Sequence, residues 1–501
     1  MTNDQLAGAR PEPKQPATLR KGAIGLWDST IIAISSTAPA YSLAASMAAM
    51  VLAVGLTSPL VVAIAFVPVM GIAIAFSYLN RANPNCGTSF SWVSEALGPD
   101  IGFMAGWASL AACVVFMVSA SSLAGSYTLN LLGQLGVTSA GLANEQPAVV
   151  LAGSLWFAFV TFMVVYGIAA AARFQRFLLA IEYFIVTGFS CYALVRAYGS
   201  DPVPGSRRLA LSWFFPSHIG GVSAFIGGAL VAVFFYWGWD TAANINEETE
   251  NATENPGKAG ILSMFALLLI FLLGVTALQV TLSQDAIKNN ADDSLAIFAK
   301  ALFPRPWNYL MTLAILSSSV ATLQTTLLPS ARVTLSMSRE RVLPAVLAVI
   351  SPRFRTPWIA TLFLAGLSFA GLAAGIQAAS VNTFLTNSVG QVGVLVSVYY
   401  GLTGIACTVL FRSALLKSIR TFMLAGVMAT GGGLFMLFMG GYSVWDTVST
   451  SGWGTEAPVL VSLALGIPFL LLARRLNPAH FRRSRAGHDR GKAETTVTAV
   501  A

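Results

Sequence analysis

Charged residues are scarce in this 501-residue sequence. Lys, Arg, Asp and Glu together make up 10% of the chain, whereas hydrophobic residues make up 55%. An ordinary soluble domain carries about 25% charged residues, so this chain has too few to cover a water-facing surface. The mean hydropathy is +0.70, and apolar runs of about 18 or more residues, long enough to span a bilayer, recur along the chain. The composition excludes an ordinary soluble domain and predicts a polytopic, all-α membrane protein.

Histidine and cysteine are also rare, with three and four residues respectively. A hydrolytic or metal-dependent enzyme within a bilayer would need clusters of His, Cys or carboxylates inside its spans. Here His218, His480 and His488 lie outside the predicted spans or at their edges, and the acids within spans are isolated. The cysteines fall in separate segments, which argues against a disulfide framework. The sequence therefore predicts neither an enzyme nor a metal site, and it indicates no cofactor.

About twelve apolar stretches are predicted to cross the membrane. Their bounds are 24–54, 58–79, 100–134, 149–169, 174–198, 221–250, 258–283, 296–329, 356–376, 381–411, 417–442 and 456–474. Two other segments are expected to be structured. The turn-rich loop 81–100 is expected either to lie in the membrane interface or to re-enter the protein. Residues 330–345 are expected to continue from the eighth span as a basic amphipathic stretch.

Positive charge is unevenly divided between the two sides of the predicted membrane protein. With an even number of crossings both termini share one side, and all but six of the 29 Lys and Arg residues fall there. The six exceptions are Arg196, Arg207, Arg208, Lys288, Lys300 and Arg305. The positive-inside rule therefore places both termini in the cytoplasm of a protein of the inner or plasma membrane. The basic C-terminal tail is interpreted as a topology determinant near anionic lipid and not as a nucleic-acid site.

Two of the predicted spans contain residues that interrupt a helix. The first includes SSTAPAYS at 35–42, in which Pro39 has no N–H to donate and disfavours helix at the residue before it. The sixth contains YWGWDTAANINEET from Tyr236, where Gly238 weakens the helix and an aspartate follows. Interrupted apolar segments at corresponding places in two halves of a chain are the best sequence indication of a transporter site. The first could instead be a simple proline kink. The sixth could end there, with its tryptophans in the interfacial belt.

Four segments resemble those of the amino acid–polyamine–organocation (APC) superfamily of permeases. They are SSTAPAYS, NPNCGTSFSWVSEALGP followed by GFMAGW, FFYWGWDTAANINEETENATENPGKA, and SARVTLSMSRERVLP after the eighth span. They occur in the family's order and cover residues from about 20 to 412. The resemblance implies a LeuT-type fold of two five-helix inverted repeats with alternating access to a central site. Helices 1 and 6 would be unwound at that site and flanked by helices 3, 8 and 10.

The pattern of apolar spans and polar tails also suggests how the chain is divided. The expected parts are a disordered cytoplasmic tail at 1–22, a ten-helix transport core at 23–412, two peripheral transmembrane helices at 413–475 and a basic cytoplasmic tail at 476–501. The expected partners are a small-molecule substrate, a proton or a sodium ion, and the lipid bilayer. No nucleic-acid partner is expected, and the sequence indicates no oligomeric state.

The resemblance places the substrate against both helix breaks. The residues at matching positions are Ser36, Thr37, Ala38, Ala40, Tyr41 and Ser42 in helix 1, and Tyr236, Trp237, Gly238, Trp239 and Asp240 in helix 6. Many amino acid permeases of this type have a glycine-serine-glycine-like triplet at the first break, whereas this chain has no glycine there. Hydroxyl groups and the remaining N–H groups at that break could still bind a carboxylate. An α-amino acid is therefore the expected substrate, and an amine or polyamine is the alternative.

Ion coupling is predicted at Glu182, in the fifth span. The resemblance places this residue where some proton-coupled relatives carry a lysine beside the helix-1 break. Burial of a carboxyl group favours its neutral form, so such a group can exchange a proton near neutral pH, or it can be a structural carboxylate bonded to nearby hydroxyls. Sodium would instead need oxygen ligands such as Ser318 and Thr322 in the hydroxyl-rich eighth span, although such stretches also pack helices closely. Proton symport is favoured, and exchange without an ion is the main alternative mechanism.

Five charged residues near the cytoplasmic ends of the spans are predicted to form a gate. They are Asp28, Arg81, Glu247, Glu248 and Arg332. The two arginines are expected to pair with these acids and so to close the cytoplasmic side.

A nutrient sensor that does not transport, built on the same scaffold, is a further alternative to a permease.

Overall fold

The computed structural model describes residues 17–290, 294–375 and 381–486. No β-strand occurs in these ranges, and a single isolated parallel bridge joins Ile24 to Thr249. Most of the tail predicted at 1–22, and the part of the basic tail beyond residue 486, lie outside the described residues.

Helices make up most of the described chain. The first ten α-helices are α1 (Leu26–Thr37), α2 (Pro39–Val54), α3 (Ser58–Ala82), α4 (Ser89–Leu97), α5 (Pro99–Gln134), α6 (Gln146–Tyr166), α7 (Ile168–Tyr198), α8 (Val222–Tyr236), α9 (Thr241–Asn244) and α10 (Asn255–Thr281). They are followed by α11 (Gln284–Asn289), α12 (Ser294–Leu302), α13 (Tyr309–Arg339), α14 (Trp358–Gly375), α15 (Val381–Leu410), α16 (Arg412–Leu415), α17 (Ile419–Thr421), α18 (Ala429–Ser451), α19 (Trp453–Leu476) and α20 (Pro478–Ala486). A π-helical stretch, Phe422–Met428, leads into α18.

The number of membrane crossings agrees with the prediction. Within the described residues, 11 helical segments are long and apolar enough to cross a membrane. The first of them, Leu26–Ala82, has 57 residues, about twice the length that one crossing needs at 1.5 Å per residue. It turns at Gly55, whose φ is 56°, and therefore contains two crossings, α1 with α2, and α3. The predicted all-α polytopic fold with about twelve crossings is confirmed.

The bounds of the eighth crossing differ from the prediction of 296–329. The crossing helix α13 begins at Tyr309 and continues to Arg339, while residues 294–302 form the separate helix α12. Pro304 and Pro306 fall between the two helices and prevent a continuous helix there. The stretch predicted at 330–345 does continue from the eighth crossing, since α13 extends to Arg339, but most of its helical part is buried. Nearly all of α13 up to Ser338 is buried, because neighbouring helices and loops cover its polar end.

The predicted loop 81–100 packs into the protein. It contains α4, where Phe90 and Trp92 are 1% and 0% exposed, and the Trp92 ring packs edge-on against Phe76 of α3. Cys86, just before α4, donates its backbone N–H to the Glu247 carboxylate over 3.3 Å. The sequence predicts that this loop either lies in the membrane interface or re-enters the protein, and its burial against other helices agrees with the second expectation.

Several polar segments meet at one end of the helix bundle. Residues 83–88 contact the segment 245–254, and Asn477 donates to the backbone oxygen of Glu340 over 3.0 Å. This end, formed by residues 83–98, 245–254 and 340–357, is called the basic face below. It is the side predicted from the Lys and Arg distribution to face the cytoplasm.

Candidate substrate site

The first crossing is broken between α1 and α2. Ala38 has left-handed backbone angles, φ 48° and ψ 69°, and its N–H donates to the Ser35 carbonyl over 3.2 Å. Pro39 then occupies the first position of α2, where a missing N–H costs nothing because no helical partner exists for it. The chain therefore stops one helix and starts another, which is a break and not a proline kink.

The sixth crossing is broken after Tyr236. Trp237 is extended, with φ −76° and ψ 139°, and Gly238 has φ 118°, a conformation that favours glycine. A Cβ at Gly238 would lie 2.8 Å from the carbonyl carbon and oxygen of Ser36. Glycine at this position allows the two broken crossings to approach each other at their breaks.

Hydroxyl groups connect the two breaks to α13. The Ser36 and Thr241 hydroxyls lie 2.9 Å apart, and each lies 3.3 Å from the Thr325 carbonyl oxygen. Thr322 donates its hydroxyl to the Ser36 carbonyl over 2.8 Å. The backbone oxygen that the break frees on α1 is therefore bonded to the eighth crossing.

A narrow cavity lies beside the two breaks. About 20 Å³ is open to the centre of a water molecule, which is room for about one water. Its lining residues come from crossings 1, 3, 6, 8 and 10, and are Ser36, Ser109, Cys113, Trp237, Gly238, Asp240, Thr241, Asn244, Thr325, Thr326, Pro329, Ser330, Val333 and Tyr399. These are the five crossings that the family resemblance assigned to the site.

Four of the residues assigned to the substrate from the sequence line this cavity. They are Ser36, Trp237, Gly238 and Asp240. Sequence reasoning missed the lining residues on α5, α9, α13 and α15. They are small, hydroxylated or aromatic residues within apolar helices, and nothing in their local pattern separates them from residues that pack helices together.

The other assigned aromatic residues contact neighbouring helices. The Tyr41 hydroxyl lies 2.9 Å from that of Ser119, and Tyr236 donates its hydroxyl to the Val62 carbonyl over 3.1 Å. Trp239 is 1% exposed and packs against aromatic rings of α3 and α15. These residues therefore hold the crossings around the breaks in place.

The remaining assigned residues of helix 1 serve the break itself. Thr37 donates its hydroxyl to the Ala33 carbonyl over 3.0 Å, and Ser42 donates to the Thr37 carbonyl over 2.9 Å. Ala38 supplies the left-handed turn, and the Ala40 N–H points to a side chain of α7, described below.

Asp240 is held by two tyrosines of α15. Tyr399 donates to Oδ2 over 3.2 Å and Tyr400 donates to Oδ1 over 2.9 Å. The Trp237 indole N–H in turn donates to the Tyr399 hydroxyl over 2.6 Å. Asp240 is the charged residue among the described residues that line the cavity. A carboxylate fixed between hydroxyl donors and beside aromatic rings suits a cationic or ammonium group.

The side chain of Glu182, a residue of α7, lies beside the start of α2 at the first break. Its Oε1 accepts the Ala40 N–H and the Ser318 hydroxyl, both over 2.8 Å, and the side chain is 0% exposed. Its Oε2 has no protein partner in the described ranges. A carboxylate is favoured at a helix N-terminus by the free N–H groups and the helix dipole. Protonation of Glu182 would therefore change an interaction at the break directly.

The hydroxyl groups proposed as sodium ligands are bonded within the protein. Ser318 donates to Glu182 and accepts the Tyr41 N–H over 3.1 Å, while Thr322 donates to Ser36. Among the residues that the structure describes, no group of three or more His, Cys, Asp or Glu side chains is arranged to hold a metal ion.

Two ion pairs connect the segment after α9 to α13 at the basic face. Arg332 and Glu248 are 0% and 1% exposed and form two hydrogen bonds of 2.8 and 3.2 Å. Arg339 contacts both carboxylate oxygens of Glu247 over 3.0 and 2.9 Å. Burial alone would raise the pKa of Glu247, but the charge and hydrogen bonds of Arg339 hold it below the ordinary value of a glutamate.

Of the five residues assigned to the gate, Glu248 and Arg332 have the expected partner. The other three, Glu247, Arg81 and Asp28, do not. Glu247 pairs with Arg339 instead. Arg81 pairs with Glu254 over 2.9 Å, and Asp28 lies 3.4 Å from Arg176 of α7. Arg81 lies at the end of α3, close to the beginning of α10, and its side chain reaches an acid that the sequence interpretation did not consider.

Removal of the Arg332 charge is expected to destabilise the protein. Arg332→Gln leaves Glu248 buried without a counter-charge, which costs about 3–5 kcal/mol for a pair of this kind. Thermal unfolding of the detergent-purified protein measures the loss. Arg81→Gln is the matched control, because both members of its ion pair are 32% exposed and such pairs contribute about 1 kcal/mol or less. Equal effects of the two substitutions would contradict this account of the buried pair.

Comparison with known proteins identifies relatives over most of the chain. The model of a family described as "Amino acid permease" matches residues 24–464. "Cationic amino acid transporter 4, vacuolar" of Arabidopsis thaliana is 26% identical over 66% of this chain and 53% of its own length. "Methylthioribose transporter" of Bacillus subtilis (strain 168) is 23% identical over 61% and 64%. "Low-affinity putrescine importer PlaP" of Escherichia coli (strain K12) is 23% identical over 60% and 63%.

The matched segment of this chain spans between about half and two thirds of the length of these relatives, 53–64%. The names of these relatives describe transporters of different solutes. The family match itself covers both helix breaks, Glu182 and the buried ion pair at the basic face. The chain therefore belongs to the amino acid permease family of the APC superfamily, a family of transporters and not of enzymes.

Proposed function

We infer that this protein is a secondary active transporter that moves an amino acid across a cell membrane by alternating access and couples this movement to a proton through Glu182. The observation that carries the inference is the pair of helix breaks that face each other beside a polar cavity. Unwound segments in the first and sixth crossings free backbone groups from helical hydrogen bonds within a bilayer, where irregular backbone is otherwise unfavourable.

The chemistry of the cavity suits both ends of an α-amino acid. An ammonium group fits beside the Asp240 carboxylate and the rings of Trp237 and Tyr399. The hydroxyls of Ser36 and Thr241 can donate to a carboxylate once the substrate replaces the hydrogen bond between them. The narrowness of the cavity implies that the helices around it separate slightly when substrate enters.

Release at the basic face requires the segment after α9 to part from α13. The pairs Glu248–Arg332 and Glu247–Arg339 join these two elements and would have to separate or move together during this step. We place this face in the cytoplasm, with both termini, on the distribution of Lys and Arg.

The position of Glu182 supports the proposed proton coupling. As a carboxylate it accepts the Ala40 N–H at the start of α2. The protonated acid is uncharged, so this charge-assisted bond weakens and the position of α2 relative to α7 is less favourable. A proton that binds together with substrate and leaves after it would bias the transporter toward uptake.

An amine or polyamine is the second candidate substrate, and a specific observation favours it. Among the described residues that line the cavity, Asp240 has an acidic side chain and none is Lys, Arg or His. A substrate with net positive charge would therefore find a counter-charge, whereas a substrate carboxylate would rely on hydroxyls. Exchange of one solute for another is the alternative mechanism, and a non-transporting sensor the alternative role.

A ligand screen followed by transport tests this proposal. Purified protein is heated with individual amino acids, amines and polyamines, and each compound that raises the unfolding temperature is then tested for uptake by proteoliposomes with and without an imposed pH gradient. An amino acid that binds and accumulates only with the gradient supports the favoured proposal, and an amine that does so supports the second candidate. Binding without uptake or exchange would support a sensor and contradict transport.

A further inference from the structure

Buried polar side chains form a line between Glu182 and the basic face. They lie along the contact between α7 and α13, with α1 alongside. We call the contact formed by Gln175, Glu182, Ser318 and Gln324 the α7–α13 seam. None of the cavity-lining residues belongs to it, and the sequence interpretation assigned no role to its glutamines.

The two glutamines of the seam are bonded to each other but not fully satisfied. Gln175 donates its amide group to Gln324 Oε1 over 2.6 Å and to the Ala321 carbonyl over 2.9 Å. The two side chains belong to residues that are 1% and 0% exposed. Gln175 Oε1 and Gln324 Nε2 find no protein partner within the described part of the chain. The pair therefore leaves one acceptor and one donor buried and free.

Gln175, which carries the free oxygen, lies on the same side of α7 as Glu182. Residues seven positions apart share a helix face, and this spacing separates Gln175 from Glu182 by about 10 Å along the axis at 1.5 Å per residue. At the inner end of the line, Glu182 Oε2 also lacks a partner among the described residues. A direct hydrogen bond cannot span this distance, but a few water molecules can.

Beyond Gln175, α7 and α1 are joined by a partly exposed ion pair. Arg176, next to Gln175, contacts Asp28 of α1 over 3.4 Å, and their side chains are 51% and 27% exposed. Ser35 lies two turns further along α1 on the same face as Asp28, is 0% exposed, and its hydroxyl has no protein partner in the described ranges. A further free polar group thus lies on the α1 side of the line.

Free polar groups of this kind are rare in protein interiors. Nearly all buried donors and acceptors have partners, and ordered water supplies the partner where protein does not. Here four such atoms, Glu182 Oε2, Gln175 Oε1, Gln324 Nε2 and Ser35 Oγ, belong to the three helices α1, α7 and α13, which pack against one another. A file of water molecules at this contact would supply the partners that the protein does not.

We propose that the α7–α13 seam holds a file of water molecules through which Glu182 releases its proton to the basic face, and that Gln175 and Gln324 position these waters. This proposal rests on the proposed function. The O–H bond of protonated Glu182 breaks at Oε2 and its proton joins the adjacent water. Each water then passes one proton to the next, until bulk water beside Asp28 receives one. Glu182 is left as a carboxylate, and the glutamines neither gain nor lose a proton.

Few other ionisable groups face this line. Tyr183 follows Glu182 on α7, and Asp28 is the ionisable residue of α1. α13 has no ionisable side chain between Tyr309 and Arg332. From α10, which packs against α1 and α7, the only charged side chain is Lys258, which lies 3.4 Å from Glu254. The charge changes along the seam are therefore those of Glu182 and its proton.

The test compares Gln175→Leu and Gln324→Leu with a matched control, Gln279→Leu. Gln279 of α10 is another glutamine that is 1% exposed and has a free Oε1, and its amide donates to the Gly55 carbonyl and to Ser58. Proteoliposomes provide initial rates of pH-gradient-driven uptake and of substrate-for-substrate exchange. The ligand is whichever solute the screen above identifies. Rates in H₂O and D₂O are compared over a range of internal pH.

The seam variants are expected to slow gradient-driven uptake by about tenfold while exchange stays close to the wild-type rate. Release of the proton should then limit the cycle, so the D₂O effect increases and the dependence on internal pH changes. Gln175→Asn, which retains an amide, should recover part of the rate, and Gln279→Leu should change neither the D₂O effect nor the pH profile.

Two results would overturn the proposal. One is an unchanged gradient-driven rate and D₂O effect in both leucine variants. The other is an equal loss of uptake and exchange, which would give the glutamines a structural role. Failure of the proposed function is distinguished by Glu182→Gln, since gradient-driven uptake that persists in that variant rejects proton coupling at Glu182 whatever the seam variants do.

Discussion

Glu182→Gln is expected to abolish solute accumulation driven by a pH gradient while substrate-for-substrate exchange continues. Glutamine has nearly the shape of glutamate, and its carbonyl oxygen can still accept the Ala40 N–H and the Ser318 hydroxyl that now bond to Oε1. It cannot take up or release a proton in the relevant pH range. The break should therefore keep its structure while the coupling is lost, with a fall in gradient-driven uptake of about 100-fold or more.

Initial uptake into proteoliposomes is measured with an imposed pH gradient, and substrate-for-substrate exchange is measured without one. Glu254→Gln is the control, because this acid lies at the basic face in a partly exposed pair with Arg81 and away from the breaks. Gradient-driven uptake that is unchanged in Glu182→Gln would show that another group couples the ion. Loss of both activities would show that the charge at the first break is required for binding or folding.

Gly238→Ala is expected to abolish substrate binding. The φ of 118° disfavours any residue with a Cβ, at a cost of about 1–3 kcal/mol. The added Cβ would also lie 2.8 Å from the Ser36 carbonyl, so the two breaks would have to move apart. The groups that line the cavity would then lose the geometry in which they meet the substrate.

Ligand-induced thermal stabilisation measures this loss, and Gly227→Ala is the matched control. Gly227 lies in α8, and a Cβ there would meet Ala53 at an ordinary 3.5 Å. The control should bind like the wild type. If Gly238→Ala also bound the solute with unchanged affinity, the close approach of the breaks would have no part in the site.

The helix breaks could be predicted because they depend on residues that disturb a helix by themselves. Proline lacks an N–H and glycine adopts φ angles closed to other residues. Pro68 and Pro329 nevertheless lie inside continuous helices, so the prediction of breaks at Pro39 and Gly238 also needed their corresponding places in the first and sixth spans. The location of Glu182 beside the first break came from the family resemblance, and the Ala40–Glu182 hydrogen bond of 2.8 Å agrees with it.

The tertiary partners could not be predicted in this way. Tyr399 and Tyr400 bind Asp240 across about 160 positions of sequence, and nothing local marks them as different from other aromatic residues of a membrane helix. The pairing of Arg81 with Glu254 could not be predicted for the same reason. Which acid a basic side chain reaches depends on how the crossings pack, and composition and hydropathy carry no information on that.

The bounds of α13 show a second limit of sequence reasoning. Hydropathy continues from residue 296 into the span, but two prolines separate α12 from α13. The polar end of α13 is rich in hydroxyl and basic residues, a pattern that predicts an amphipathic stretch. It is buried instead, and the Arg332 guanidinium is paired there with the Glu248 carboxylate. Hydropathy measures the side chain alone and cannot register that partner.

Protection of Cys113 by solute tests the central claim most directly. Cys113 lines the cavity beside the two breaks and is partly exposed, and the three other cysteines can be replaced by alanine. Methyl methanethiosulfonate should modify Cys113 more slowly when a transported solute is present at saturating concentration, because the solute occupies the space beside the thiol. A rate of modification that the solute leaves unchanged would contradict a binding site between the breaks.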